Sequence, residues 1–332
     1  MAAKKILVTG GCGYVGSQVV LSLLDNGEEI VVVDDLRTSS GNALPHGVKL
    51  VVSDVMDRDV LARVVAENDV DTIIHMAASV DVEESVRRPN FYYENNIGGC
   101  LAVADVASRG GIDKIVYSST AAIYASSSAP VSEGSLLLPA SPYGRSKLAG
   151  EQIIRDSAPP GCSVAVLRYF NVAGADPQGR TGPFGGKHLL KQVARAAVTR
   201  PSSIDVFGID YPTRDGTAVR DFVHIFDLAD AHLRAVIDFR EGGESFTANV
   251  GYGAGVTVLE VIQSASRCVG WEIPIIARPR RPGDIMQVVA DTTFIRKRLC
   301  HWHPKYDALD TIVSSALTWE TSLKNSRPAT LA

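Results

Sequence analysis

A doubly wound α/β fold, a parallel sheet with helices on both faces, followed by a smaller α/β lobe, is predicted by three observations on this chain of 332 residues. Strand-like apolar runs alternate with helical ones through the first half. A glycine-rich turn, Thr9-Gly10-Gly11-Cys12-Gly13-Tyr14-Val15-Gly16, follows the first run. After about residue 170 the regularity fades into loops rich in Gly, Pro and charge. Alternating strand and helix periods imply βαβ units and therefore a parallel sheet.

The elements follow in order. Lys4 to Val8 reads as a buried strand running into the glycine turn. Val15, Val19, Val20, Leu23 and Leu24 then fall at helical spacing until Asn26-Gly27. Ile30 to Val33 forms the second strand and finishes at Asp34. Next come a strand at 49–52, a helix through Val60 and Val64, a strand at 71–75 and a longer helix from about 90 to 108. A strand at 114–117, a helix carrying Tyr143 and a strand at 163–167 complete the pattern. Ligands of such sheets bind beyond the carboxyl ends of the strands, and Gly10, Asp34, Asp54, Ala77, Thr120 and Tyr169 all follow strands. Residues 1–170 thus read as a dinucleotide-binding domain of Rossmann type, rejoined by about 222–250. Residues 171–221 and 251–332, with short elements at 188–200, 256–270 and 308–322, read as the second lobe. Ser126-Ser127-Ser128 reads as a loop.

Gly10, Gly13 and Gly16 lie three apart. Without side chains they permit a tight turn, close approach of backbone amides to a pyrophosphate, and close packing of the next helix on the sheet. The positive helix end then faces the phosphates. Asp34 closes the second strand, where a carboxylate accepts hydrogen bonds from a ribose diol and repels a 2′-phosphate. The expected cofactor is NAD rather than NADP, with nearby Arg37 as a counterweight.

Composition excludes several classes. The 45% hydrophobic content suits a large core, and the length suits two domains. A net charge of -4 with interspersed signs gives no footprint for nucleic acid. Five cysteines, at 12, 100, 162, 268 and 300, match neither a disulfide framework nor zinc spacing. No apolar run resembles a secretory signal or a membrane span of ~20 residues. The expectation is a cytoplasmic enzyme.

Tyr143 and Lys147, in Ser-Pro-Tyr-Gly-Arg-Ser-Lys, stand four apart and so share one face of a helix. An ammonium there is expected to favour ionisation of a phenol whose ordinary pKa is ~10, making it a base near neutrality. His75, after a buried strand, reads as a satisfied core histidine.

With Val8-Thr9-Gly10-Gly11-x-Gly13-Tyr14-Val15-Gly16, Ser118-Ser119-Thr120, Tyr143-Gly-x-Ser-Lys147 and Arg168-Tyr169-Phe170-Asn171, almost the whole chain resembles the extended short-chain dehydrogenase/reductases. Asp210-Tyr211-Pro212-Thr213-x-Asp215-Gly216-Thr217-x-x-Arg220-Asp221-Phe222-x-His224 further resembles their UDP-glucose (UDP-galactose) 4-epimerases. The resemblance implies a tightly held NAD that oxidises a UDP-hexose at C4 and returns hydride to the other face. It implies Tyr143 as base, Lys147 as ribose holder and Thr120 as hydroxyl relay. It also implies cofactor contacts from Gly10, Gly13, Tyr14, Val15, Gly16, Asp34, Asp35, Asp54, Val55, Ala77, Ala78, Asn96, Ser118, Tyr143, Lys147 and Tyr169. For Asn96, a helix cap or buried polar bridge competes with that role. For Thr120, a turn hydroxyl bonded to its own backbone does so. Substrate contacts are implied for Thr120, Tyr143, Asn171, His188, Leu189, Phe207, Arg220, Arg281, Asp284 and Val288. Arginine suits phosphate because its planar fork donates paired hydrogen bonds. A homodimer is implied, joined through the helices near 90–108 and 143–156.

Departures are Val80 in place of a lysine, Ala125 in place of a glycine, and Val288, intermediate in size where the pocket residue sorts sugars. N-acetylhexosamine, UDP-pentose or UDP-uronate substrates therefore stay open, as does a non-catalytic NAD-sensing protein. Dehydratases and decarboxylases need a carboxylate just after the strand-end Ser/Thr; here Thr120 is followed by Ala121-Ala122-Ile123-Tyr124.

Overall fold

The computed structural model describes residues 4–39, 44–185, 188–200, 202–281 and 284–326. Its strands are β1 (Lys5–Thr9), β2 (Ile30–Asp34), β3 (Lys49–Val52), β4 (Val70–His75), β5 (Lys114–Thr120), β6 (Ser163–Tyr169), β7 (Asn171–Ala173), β8 (Ile204–Phe207), β9 (Val219–His224), β10 (Phe246–Val250), β11 (Gly255–Thr257), β12 (Ile275–Arg278) and β13 (Gln287–Val288). Its helices are α1 (Tyr14–Asp25), α2 (Arg58–Glu67), α3 (Val82–Arg87), α4 (Pro89–Gly110), α5 (Pro142–Asp156), α6 (Leu189–Val198), α7 (Ile225–Arg240), α8 (Val258–Val269), α9 (Thr293–Arg298) and α10 (Leu309–Ser326).

Seven strands form the large sheet in the order β10-β6-β5-β4-β1-β2-β3, every pair parallel. Successive residues of a strand point to opposite faces, and the apolar runs are long enough to serve both. Ile6 and Val8 pack with Val19, Val20 and Leu23 of α1 and with Leu228, Ala231 and Ala235 of α7. Leu7, Val31 and Val33 pack instead with Leu61 and Val64 of α2, Val103 and Val106 of α4 and Ile154 of α5. Full burial of one such side chain contributes about 1.5–3 kcal/mol. The chain turns outward from β1 to β2 on one side and to β4 on the other. That reversal opens the crevice where α/β sheets take ligands.

The sequence pattern shows little of the remaining strands because they are short. A four-stranded sheet joins β11, β9 and β13, with β7 also on β9, and β8 pairs with β12. These strands and α6, α8 and α10 enclose a separate apolar cluster that includes Leu190, Val206, Phe222, Val261 and Ile312. A fourth cluster, with Ala121, Ile123, Tyr124, Phe170, Val288 and Ala290, ties the end of β5 to β13. Pro282 and Gly283 of the arginine-rich stretch, and Gly186 of the glycine-rich one, lie outside the described residues. No described helix is long and apolar enough to cross a membrane.

Candidate active site

Beyond β1 the backbone turns at Gly10, whose φ of 71° is left-handed. A Cβ on Gly10 would lie 2.7 Å from the amide nitrogen of Ala77, and one on Gly16 would lie 2.1 Å from the Gly10 carbonyl oxygen. No side chain fits either place. Gly13 is the N-cap of α1 and no side chain caps that end. The first-turn amides of Tyr14 and Val15 therefore have no partner within the helix and are available to an anion.

Asp34 ties the loop to β2. Its Oδ2 accepts from the Cys12 amide (2.9 Å) and its Oδ1 from the Leu36 amide (2.9 Å), leaving each oxygen a lone pair for a ribose hydroxyl. Asp35 accepts from the backbone amide (2.9 Å) and the guanidinium of Arg37, and Arg37 also donates to Asn95 Oδ1 (2.6 Å). Arg37, the cation that could favour a 2′-phosphate beside Asp34, is thus engaged elsewhere. Asp54 Oδ1 accepts from the Met56 amide (2.9 Å), and Val55 is buried against the helix at Gly99, where a Cβ would meet its Cγ1 at 3.0 Å. Ala77 and Ala78 line the β4 end half-buried, beside the Thr9 hydroxyl.

Asn96 takes the buried-bridge alternative rather than the helix cap. It lies within α4, not at its cap, and its amide is fully used. Oδ1 accepts from Ser79 N (2.8 Å) and Asn95 Nδ2 (3.1 Å), while Nδ2 donates to the Ser79 carbonyl (3.0 Å) and Ser146 Oγ (2.9 Å). With two donors and two acceptor sites engaged, Asn96 is a buried bridge that holds the loop after Ala78 to α5.

Helix α5 starts at Pro142 with Ser141 as N-cap, its hydroxyl accepting from Gly144 N (3.1 Å). A Cβ on Gly144 would lie 2.4 Å from the Ala122 carbonyl oxygen, so this glycine lets the helix start against the turn that follows β5. Tyr143 and Lys147 are both buried on that inner face. The Thr120 hydroxyl accepts from its own turn at Ala122 N (3.1 Å), the local backbone bond expected of a turn threonine, and it lies close enough to the Tyr143 phenol to act on its pKa. Burial raises the phenol's pKa, and the Thr120 hydrogen bond pulls it back only in part. That reverses the expected depression by Lys147. The ammonium itself is brought down from 10.5 to about 8 by burial, against the pull of the Cys100 thiol and the Glu151 carboxylate, and its Nζ sits 4.3 Å from the Tyr117 ring centroid.

Two supporting networks escaped sequence reasoning. Glu151 lies one turn beyond Lys147, and its carboxylate grips Arg168 through both oxygens (2.7 and 3.0 Å) and accepts from Ser119. The four-residue spacing from Tyr143 through Lys147 to Glu151 was the available signal. Ser118 bonds the Tyr169 hydroxyl, which bonds His232 Nε2. His232 Nδ1 reaches the Leu228 carbonyl (2.9 Å), and burial lowers this imidazole to about 4. A neutral ring therefore donates at Nδ1 and accepts the Tyr169 proton at Nε2. His75 is a core histidine as expected, with Nδ1 on Thr9 Oγ1 (2.8 Å).

The second lobe brings together residues far apart in sequence. Arg281 covers the Phe207 ring at 4.6 Å and bonds Asp284 through Nε (3.0 Å). Asp284 also lies 3.8 Å from Arg220, whose Nη1 donates to the Val219 and Met286 carbonyls (2.9 and 3.3 Å). Val288 pairs with Arg220 in register and is buried beside Ala121. Asn171 is exposed on β7, opposite Phe222. His188, just before Leu189 opens α6, stacks on Tyr14 with centroids 5.7 Å apart, while the Tyr14 hydroxyl donates to the Gly174 carbonyl (2.6 Å). Its Nε2 is buried and has no partner among the described residues.

A sheet crevice with an uncapped helix end, an acid closing the second strand and a Tyr-Lys-Thr set at the fifth defines a nucleotide-dependent enzyme of the extended short-chain dehydrogenase/reductase class. Residues 6–251 match the model of the NAD dependent epimerase/dehydratase family, and the chain belongs to that family. It is 46% identical to the UDP-glucose 4-epimerase of Azospirillum brasilense over 98% of this chain and 94% of that one. Among solved structures it resembles UDP-glucose 4-epimerase from Bifidobacterium longum in complex with NAD+ and UDP (TM-score 0.91, 37% identity, 98% of this chain and 100% of that one). It also resembles the enzyme from Stenotrophomonas maltophila with bound NAD and formylated UDP-arabinopyranose (TM-score 0.92, 34% identity, 98% and 100% covered).

Proposed function

We propose that this protein is an NAD-dependent epimerase that inverts C4 of a UDP-hexose, interconverting UDP-glucose and UDP-galactose through a 4-keto sugar. The observation that carries the chemistry is the burial of Tyr143 and Lys147 on the face of α5 that starts against the turn after Thr120, with alanines rather than carboxylates in that turn. Proton removal from a hydroxyl has its machinery there. Elimination needs a further acid or base, and that turn supplies none.

The cofactor fits this chain: the Cβ-free cradle at Gly10 and Gly16 and the uncapped α1 end suit a pyrophosphate, and Asp34 keeps lone pairs for a ribose. Lys147, Tyr169 and Ser118 would contact it further along the strand ends. Bound NAD supplies the acceptor and later the donor of the hydrogen at C4. Tyr143 takes the C4 hydroxyl proton and returns it, and Thr120 holds the same oxygen, since a hydroxyl both donates and accepts. Because burial holds the free phenol neutral, ionisation needs positive charge arriving beside it, from a ligand or from Lys147 redirected off Tyr117. Arg220 and Arg281 hold the diphosphate, Asp284 orients both guanidiniums, and Phe207 flanks the uracil. Asn171, His188 and Leu189 close the other side, and Val288 limits room at the sugar.

Incubation with UDP-glucose, UDP-N-acetylglucosamine, UDP-xylose and UDP-glucuronate in separate reactions, followed by resolution of epimers, tests this reading. UDP-galactose from UDP-glucose supports it. NAD binding without turnover of any of the four would mark a sensing protein instead.

Two further proposals concern setting. The five cysteines, all free thiols, fit a reducing cytoplasm. A homodimer through α4 and α5 fits the outward stripe of Glu94, Ile97 and Leu101, the last 43% exposed. Light scattering should give twice the chain mass, and Leu101→Glu should halve it.

A further inference from the structure

Tyr211 carries a buried hydroxyl with nothing to bond. The residue is 6% exposed, and among the described residues no group lies within hydrogen-bond reach of its phenol oxygen. Buried polar groups in folded proteins are overwhelmingly paired, so an unpaired one calls for a partner that arrives.

The ring is closely packed. The Tyr211 amide donates to the Gly216 carbonyl (2.9 Å), and its own carbonyl accepts from Thr213 (2.8 Å). A Cβ on Gly208 would come within 2.4 Å of its Cε2, so the ring lies flat against the loop that carries Phe207. The Arg280 guanidinium covers the ring at 4.1 Å from its centroid and is itself pinned by the carboxylate (2.8 Å) and carbonyl (2.7 Å) of Asp210. Arg220 lies close enough for the phenol oxygen to favour its charge. A buried hydroxyl on a ring that one guanidinium covers, with a second guanidinium in its field, is complementary to an acceptor, and the acceptor that arginines collect is an anion.

We propose that the Tyr211 hydroxyl donates a hydrogen bond to the diphosphate of the bound nucleotide, making Tyr211 a phosphate ligand beside Arg220. The inference rests on the UDP-sugar reading above and names a contact that neither motif nor spacing suggested.

Tyr211→Phe keeps the ring and the Arg280 stack and removes one oxygen. Wild-type and variant protein, both loaded with NAD, are titrated calorimetrically with UDP and with uridine, and the ligand-free melting temperatures are compared. The variant should bind UDP about tenfold more weakly, as expected for a lost hydrogen bond to a charged group, and bind uridine as the wild type does. Its melting temperature should equal or exceed the wild type's, because no bond in the ligand-free protein is lost. UDP affinity within twofold of wild type overturns the proposal, as does an equal loss for uridine, or a lower melting temperature. Wild-type protein that fails to bind UDP removes the UDP-sugar reading and this contact together, an outcome distinct from wild-type binding that the variant retains.

Discussion

The ammonium of Lys147 lies 4.3 Å from the centroid of the Tyr117 ring, a cation seated on an aromatic face beneath the catalytic crevice. Attraction between the charge and the ring contributes about 2 kcal/mol when desolvated, less than burial costs, which is why the lysine's pKa falls to about 8.

A consequence for stability follows from the sign of that shift. Below pH 8 the lysine is charged in both states and the folded protein carries the whole cost of burying it. Between 8 and 10.5 the unfolded chain keeps a proton that the folded one has released, so stability rises with pH. Lys147→Met should therefore stabilise cofactor-free protein by about 3 kcal/mol below pH 8, with the gap closing toward pH 10.5. Urea unfolding at pH 7 and pH 10 measures it, and a gap that does not change with pH would contradict the buried charge.

Tyr143→Phe removes the proton acceptor while keeping the ring that fills the crevice. Turnover should fall by a factor of about 10²–10⁴, the usual worth of a positioned base, with NAD still bound. Thr120→Val should also lower turnover, and Thr120→Ser should recover it, since serine restores the hydroxyl. Initial rates alongside cofactor fluorescence separate these outcomes, and near-normal rates in Tyr143→Phe would unseat the assigned base.

Gly16→Ala places a methyl 2.1 Å from the Gly10 carbonyl oxygen, a contact that the backbone cannot relieve locally. We expect the variant to lose NAD on purification and to melt lower than wild type. Gly27, where a Cβ would meet nothing within 4 Å, supplies the control: Gly27→Ala should retain NAD, its cost confined to the strain of a φ of 80°.

Glu151 and Arg168 form an ion pair that is 4% and 6% exposed at the side chains. Removing one partner leaves the other charged and buried, so Glu151→Ala should destabilise by about 3–5 kcal/mol. Chemical denaturation reports this directly. A loss under about 1 kcal/mol would mean that water reaches the guanidinium.

Local pattern is enough to read the nucleotide half. The run from Lys5 to Thr9, the glycine turn and the acid closing β2 act through neighbours in sequence, and the spacing of Tyr143 and Lys147 needs only one helix turn. The expected influence of Lys147 on the phenol fails for the same reason that it can be written down: spacing reports proximity along a helix, whereas burial depends on β5 and α4 packed above it. Which alternative Asn96 takes is hidden from the sequence because its partners, Ser79 and Ser146, come from two other segments.

Residue order and side-chain chemistry thus dictated the parallel sheet, its glycine loop and the helical pairing of Tyr143 with Lys147, because periodicity and backbone freedom are properties of short stretches. Only the packed chain decided which way the phenol titrates, and only it gathered Phe207, Arg220, Arg281 and Asp284 around one place. Desolvation and convergence belong to no segment by itself; they arise when distant strands close over a charge and shut water out.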